Sequence, residues 1–243
     1  NGNAGALPRD RYLGDPSRNN LHVNGDTHQF TLDHDLGQGW RTRVGASYRE
    51  TDLYGEAVDL TGTLQADGRT LTRRDSWRSL PARDTSVQAE VEGKLQTGGL
   101  RHTVLAGVES WRLFMGQDIR YSTLASQPFA IDIHNPTYGQ APGNLTPGFD
   151  TRDRQRATGL FVQDQMDLSE RWKLLAGVRF DRYHQNYENR LTSTVQNQSH
   201  SAATPRVGVT YLVNDRTSVY ASAGRSFRPN TGADESGRAF DPQ

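Results

Sequence analysis

In residues 171–183, RWKLLAGVRFDRY, nearly every second side chain is apolar or aromatic. Trp172, Leu174, Ala176, Val178 and Phe180 fall on one side; Lys173, Leu175, Gly177, Arg179 and Asp181 fall on the other. A strand points successive side chains to opposite faces, so this segment has one greasy face and one mostly polar face. The pattern recurs. WRTRVGASY (40–48) sets Trp40, Thr42, Val44, Ala46 and Tyr48 against Arg41, Arg43, Gly45 and Ser47, and SVQAEVEGKL (86–95) sets Val87, Ala89, Val91, Gly93 and Leu95 against Gln88, Glu90, Glu92 and Lys94. Segments 29–36, 102–108, 159–168, 206–212 and 218–227 repeat it more loosely, which gives about eight strands and almost no helical periodicity. The chain is therefore all-β. A soluble sandwich would turn the greasy parity into a packed core, and a membrane barrel would turn it to lipid; parity alone fits both.

Only 33% of the 243 residues are hydrophobic and 23% are charged. No run of about 18 apolar residues exists, which excludes a helical membrane span. Barrel strands need only alternate over about ten positions, so a low mean hydropathy of -0.79 is compatible with them. Lys+Arg and Asp+Glu balance at 28 each, so no global field points to nucleic acid. The absence of cysteine removes disulfides, thiolate metal sites and Cys nucleophiles. The polar start, NGNAGALPRDRYLGDPSRNN, has no charged segment followed by an apolar one, and the end, DESGRAFDPQ, reads as loop. An interior piece of a longer protein is the expectation.

Connections fall into two lengths that alternate. Short ones lie at 36–39, 97–99, 169–171 and 214–216, and long ones are expected over 57–76, 117–155 and 187–201. In an up-and-down sheet this sends every short turn to one end and every long loop to the other, the asymmetry of an outer-membrane barrel with periplasmic turns and extracellular loops. The aromatics add a length. Trp40 and Trp172 follow short turns, and Tyr48 and Phe180 come eight residues later on the same parity. At about 3.4 Å per residue and a tilt near 40°, that separation is about 20 Å along the membrane normal, close to the roughly 25 Å apolar band between aromatic girdles. The opposite parity, with Arg41, Arg43, Glu90, Glu92, Gln163, Gln165 and Arg179, would line a wet or plugged lumen.

Catalytic signatures such as GxSxG, HExxH and the P-loop are lacking. The seven histidines show neither HxH nor HxxxH spacing, and His28 and His34, which share a parity, lie about 20 Å apart by strand rise. Neither catalysis nor a resident metal is expected.

The ordered set GLFVQDQMDLSERWKLLAGVRFDRY (159–183), TPRVGVTYLVNDRTSVYASAGRSFRPNTG (204–232), DRYLGDPSRNN (10–20), LTGTLQADGRTLTRR (60–74), QTGGLRHTVLAGVESWR (96–112) and IDIHNPTYG (131–139) closely resembles the barrel of TonB-dependent siderophore receptors. It is most similar to the ferric hydroxamate (ferrichrome-like) branch and its pyoverdine relatives. The resemblance implies that residues 1–243 are the central part of a transmembrane antiparallel barrel, about eight of its 22 strands, with the N-terminal plug and the C-terminal strands outside this chain. It implies a Gram-negative outer-membrane location, a ferric siderophore as transported ligand without any further cofactor, contact with outer-membrane lipid, and a TonB-type energy-coupling partner reached through the N-terminal segment. By position, Tyr54 in DLYGEA (52–57) resembles a ligand-contacting residue, although Glu56 stands where relatives often carry a second aromatic; Trp111, Phe114 and Tyr121 are further candidates. The same barrel could carry cobalamin or haem, though paired loop histidines for haem are not found. A hydrolase, either an outer-membrane barrel or a soluble β-sandwich, is the third alternative.

Overall fold

The computed structural model describes residues 7–122 and 129–230, except the side chains of residues 61 and 62. Within these, one antiparallel sheet contains β1 (His22–Gly37), β2 (Trp40–Leu64), β3 (Thr70–Thr97), β4 (Leu100–Ser122), β5 (Ile131–Asp132), β6 (Leu145–Asp167), β7 (Trp172–Asn189), β8 (Thr194–Asn214) and β9 (Thr217–Gly224). The order is β1-β2-β3-β4-β6-β7-β8-β9, and the short β5 pairs with one end of β3. Each long strand lies beside its neighbour in sequence. No described helix is long and apolar enough to cross a membrane.

Two of the four short turns form where glycine supplies positive φ. Gly98 and Gly99 have φ of 56° and 85°, the mirror-image turn whose twist matches a two-residue hairpin. At the β1–β2 turn Gly37, Gln38 and Gly39 all have positive φ.

The eight expected strands are present, but most are much longer than their alternating segments. Residues 57–76, expected as a loop, are mostly the paired ends of β2 and β3, and 187–201 is likewise strand except at a tight turn over 190–193. The physical reason lies in the solvent. Past the apolar band both faces of the sheet meet water, so period-2 hydrophobicity disappears while backbone pairing continues. The connection expected over 117–155 is strand at both ends, and part of it, 123–128, lies outside the described residues, as do 231–243.

Register gathers the greasy parity into one continuous face. Val44 lies between Leu32 and Ala89, Val162 between Ala106 and Val178, and Leu174 beside Val209. The buried apolar core is elsewhere: Leu71, Phe129, Ala130, Ile131 and Ile133, beyond the apolar band at the end of the sheet opposite the short turns. There the segment before β1 and residues 129–139 lie against β3. None of Val44, Val91, Leu174 or Val178 belongs to that core.

Exposure also gives the curvature. Along β6 the greasy-parity positions 154, 156, 158, 160 and 162 are exposed, while 155, 157, 159 and 161 are not; β8 repeats this over 195–203. In a one-layer sheet side chains crowd on the concave side and splay on the convex side. The polar parity is therefore concave.

Candidate functional site

Among the described residues nothing packs over the apolar band of the convex face. Phe30 is 59% exposed, Leu160 57%, Phe180 55% and Val219 60%, values that in water would be a large uncompensated apolar surface. Trp40, Tyr48, Trp172 and Phe180 all lie on this face, in two rows. Trp40 lies flat over Gly93, where a Cβ would overlap its ring. Trp172 packs on Tyr211 with centroids 4.6 Å apart, and the Tyr48 hydroxyl donates to Glu50 at 2.6 Å. One polar relay interrupts the face near the short turns: His102 Nδ1 is 2.7 Å from Asp164, and its Nε2 is 2.9 Å from the Thr97 hydroxyl.

The concave face holds all seven polar residues expected to line a lumen, and cross-strand pairing joins most of them. Arg41 meets Glu92 at 3.0 Å; Arg43 meets Asp33 at 2.7 Å and Glu90 at 3.9 Å. Arg179 bridges Glu109 at 3.0 Å and Asp181 at 2.9 Å, lying across Gly159, where any Cβ would collide with it. Gln163 accepts from Arg206, and Gln165 stands exposed near the turn. Asp33, Glu109, Asp181 and Arg206 belong to this ladder; extending the parity of the polar face across each strand would have found them.

The four aromatic candidates do not form one cluster. Trp111 and Tyr121 are on the concave face. Trp111 sits 6.1 Å from the ring of Tyr183, which is fully buried, and Tyr121 carries the Arg74 guanidinium 3.8 Å from its centroid. Tyr54 and Phe114 fall on the opposite parity. Tyr54 stacks on His22 at 5.2 Å, and Phe114 lies under Arg154. Hairpin position gives only their height, but parity along the strand separates them: Tyr54 shares the parity of Trp40 and Tyr48, and Phe114 is three residues from Trp111. Around Trp111 and Tyr183 the concave face carries a carboxamide chain: Gln155 and Gln185 both donate to Asp153 at 2.8 Å, and Gln198 donates to Gln185. Among the described residues the Tyr183 hydroxyl and one Asp153 oxygen are buried without a hydrogen-bond partner.

Past this platform a polar knot ties the segments together. Arg73, 1% exposed, donates to the carbonyls of Phe129 (2.9 Å), Leu13 (3.3 Å) and Gly14 (2.6 Å). Burial pulls its pKa down, opposed by the charge of Asp15. Asp15 caps a 3-10 turn at Pro16–Arg18, accepting from the amide and hydroxyl of Ser17 and from the Gly139 amide. Burial pushes the Asp15 carboxyl up, but these hydrogen bonds outweigh it and hold the pKa below the ordinary value. Burial raises Asp75, with Arg18 at 3.0 Å pulling the other way. At the β2–β3 tip the Thr70 hydroxyl and the Thr70 and Arg69 amides hold Asp67 at about 2. Among the described residues no three His, Asp or Glu side chains gather into a metal-ligating group.

A TonB dependent receptor-like β-barrel family model matches residues 1–242. The chain is 38% identical to the metal-pseudopaline receptor CntO of Pseudomonas aeruginosa over 98% of its own length and 34% of that protein's. It is 25% identical to the ferrichrome outer membrane transporter/phage receptor of Escherichia coli, over 99% of this chain and 34% of that one. Among solved structures, the pyoverdine outer membrane receptor FpvA from Pseudomonas aeruginosa superposes with a TM-score of 0.78 at 17% identity, covering 98% of this chain and 34% of that chain. The chain thus spans about a third of the length of these relatives.

Proposed function

Because this chain belongs to the TonB-dependent receptor-like β-barrel family, we propose that it is wall and extracellular rim of an outer-membrane receptor that binds a metal-loaded siderophore and imports it by energy-coupled transport. The observation that carries this reading is a single curved sheet with an uncovered apolar band between two aromatic rows on one face and a salt-bridged polar wall on the other. Lipid would cover the first face and the aqueous or plugged lumen would meet the second.

In this reading the metal is cargo, already wrapped by its chelator, so the receptor needs shape, aromatic faces and hydrogen bonds and no metal ligands or cofactor of its own. The concave platform of Trp111, Gln155 and Gln185 suits an oxygen-rich chelate, with Tyr121 farther out on the same face, and the Tyr183 hydroxyl, unpartnered among the described residues, has hydrogen-bonding capacity to spare. Energy coupling would come from a TonB-type protein through parts of the receptor outside this chain. No catalytic step is assigned to it.

Two cargo classes compete: a ferric hydroxamate or pyoverdine, and a metal–pseudopaline complex. The higher identity to the pseudopaline receptor favours the second. The test is uptake of radiolabelled ferrichrome, ferrioxamine, ferric pyoverdine and metal–pseudopaline by receptor-deficient cells carrying the full-length protein, with and without the coupling protein. Uptake of one chelate that stops without the coupling protein is expected. Uptake of none, or uptake indifferent to coupling, contradicts the proposal.

A further inference from the structure

Transport asks no chemistry of this chain, yet the convex face carries a threonine, a histidine and an aspartate joined in series, away from the transport path. Thr97 ends β3, His102 is the third residue of β4, and Asp164 lies near the end of β6. All three share the parity of the apolar face. In register, His102 stands in a row with Leu95, Met166 and Leu174. Asp164 stands in the next row, with Trp40, Gly93 and Val104. The group therefore lies at the depth of the aromatic side chains beside the short turns, where hydrocarbon gives way to polar headgroups. An ionisable pair on a face otherwise given to Val, Leu and Ala is costly there and points to a role.

The Thr97 hydroxyl is 2.9 Å from His102 Nε2, and an Asp164 oxygen is 2.7 Å from Nδ1. An ionised carboxylate can only accept, so Nδ1 carries the hydrogen and Nε2 keeps its lone pair for the Thr97 proton. The imidazole is packed in place, its side chain 12% exposed, whereas Thr97 is open at the turn. The order is nucleophile, base and orienting acid, at the hydrogen-bond spacing that acyl transfer uses. The other Asp164 oxygen is buried without a partner among the described residues, and no Lys or Arg nitrogen among them lies within 4.0 Å of this carboxylate. Its charge is thus kept for the imidazolium that forms when Nε2 takes a proton. Gly98 and Gly99 follow Thr97, and their amides make no hydrogen bond among the described residues. A Cβ on either glycine would meet nothing within 4 Å, so there is room beside the hydroxyl for a substrate. Free backbone donors next to a nucleophile are what a tetrahedral oxyanion needs.

We propose that Thr97, His102 and Asp164 form an ester-cleaving site for the acyl ester of a membrane glycerolipid in the leaflet beside the short turns. The inference uses the lipid-facing reading of the convex face and is independent of which chelate is carried. Nε2 of His102 removes the hydroxyl proton as Thr97 Oγ bonds to the ester carbon, and Asp164 holds the resulting imidazolium. Collapse breaks the bond from that carbon to the glycerol oxygen, which takes the proton from His102. Water, deprotonated by the same nitrogen, then attacks the acyl-threonine. The bond from carbon to Oγ breaks, the proton returns to Thr97, and the fatty acid leaves. One water is consumed, and nothing is oxidised or reduced. Leu95, Leu100, Met166 and Leu174 give the acyl chain an apolar track that a small water-soluble ester would not use.

The full-length receptor and its Thr97→Val variant, purified side by side, are incubated in mixed micelles of detergent and phosphatidylethanolamine, and released fatty acid is measured by mass spectrometry. Release by the wild type is expected to exceed that by Thr97→Val at least about tenfold. A fluorophosphonate probe should label the wild type on the peptide that contains Thr97, a readout that depends on no variant. Thr97→Ser should keep the activity and His102→Gln should lose it. Asp164→Asn should lower it at least about tenfold, because a carboxamide donating to Nδ1 puts the hydrogen on Nε2; a merely structural relay would leave the rate unchanged. Equal release by the wild type and Thr97→Val, or labelling that misses Thr97, overturns the inference. Cargo binding by all these variants should match the wild type, which separates this result from the receptor reading.

Discussion

Replacing Val44 by arginine probes the convex face at its most sensitive depth. Val44 lies midway between the aromatic residues Trp40 and Tyr48 and is flanked across the strands by Leu32 and Ala89. If hydrocarbon covers it, the guanidinium must sit at the bilayer midplane, which costs about 2–4 kcal/mol. At 1.4 kcal/mol per decade this is roughly a 30- to 700-fold change in the folding equilibrium. The matched control is Gln88→Arg. Gln88 pairs with Gly45, one residue away from Val44 in register and at nearly the same depth, but on the concave face near Glu109. It should cost less than about 0.5 kcal/mol. Both full-length variants would be unfolded by guanidinium in phospholipid vesicles and followed by tryptophan emission. A large loss for Val44→Arg with Gln88→Arg near wild type is expected. A neutral Val44→Arg would mean water covers this face, and equal losses would remove the distinction between the faces.

Three further outcomes follow from the extracellular end. Arg73→Ala strips three carbonyls of their buried donor and should loosen residues 7–20 and 129–139 by about 3–5 kcal/mol, read as faster amide exchange there with the barrel strands unchanged. Asp67 is held at about 2, below the ordinary aspartate value of 3.8, so its support of the β2–β3 tip is complete above pH 4 and fades as pH falls through 2; protection of the Arg69 and Thr70 amides, relative to their intrinsic exchange at each pH, should drop across that window and stay unchanged in Asp67→Asn. Trp111→Ala and Tyr121→Ala should each weaken cargo binding roughly tenfold, whereas Tyr54→Ala, on the other face, should do so less.

What the sequence revealed, and what it hid, divides at the edge of the apolar band. Between Trp172 and Phe180 one face meets an apolar and the other a polar medium, so alternation records the strand and its orientation. Trp40, Tyr48, Trp172 and Phe180 share the face of the apolar parity, and Arg41, Arg43, Glu90, Glu92, Gln163, Gln165 and Arg179 share the opposite one. Beyond the band both media are water, and residues 57–76 and 187–201 look like loop while pairing as strand. The Arg73 knot was not countable at all. It joins positions about 60 residues apart through backbone carbonyls, which carry no side-chain signature. Tyr54 and Phe114 show the difference between two signals, since hairpin position fixes height on the wall and parity along the strand fixes the side.

The most direct measurement of the central claim is spin-label accessibility. This chain has no cysteine, so single cysteines can be placed at 41 to 48 and 172 to 180 in the full-length receptor, provided any cysteines outside this chain are removed, and labelled in lipid. Oxygen, which concentrates in hydrocarbon, should relax labels at 42, 44, 46, 174, 176 and 178, while a water-soluble nickel complex should reach 43, 45, 177 and 179 at least as well as it reaches those. Shielding of 44, 174 and 178 from both reagents would place them in a packed protein interior and contradict the barrel account.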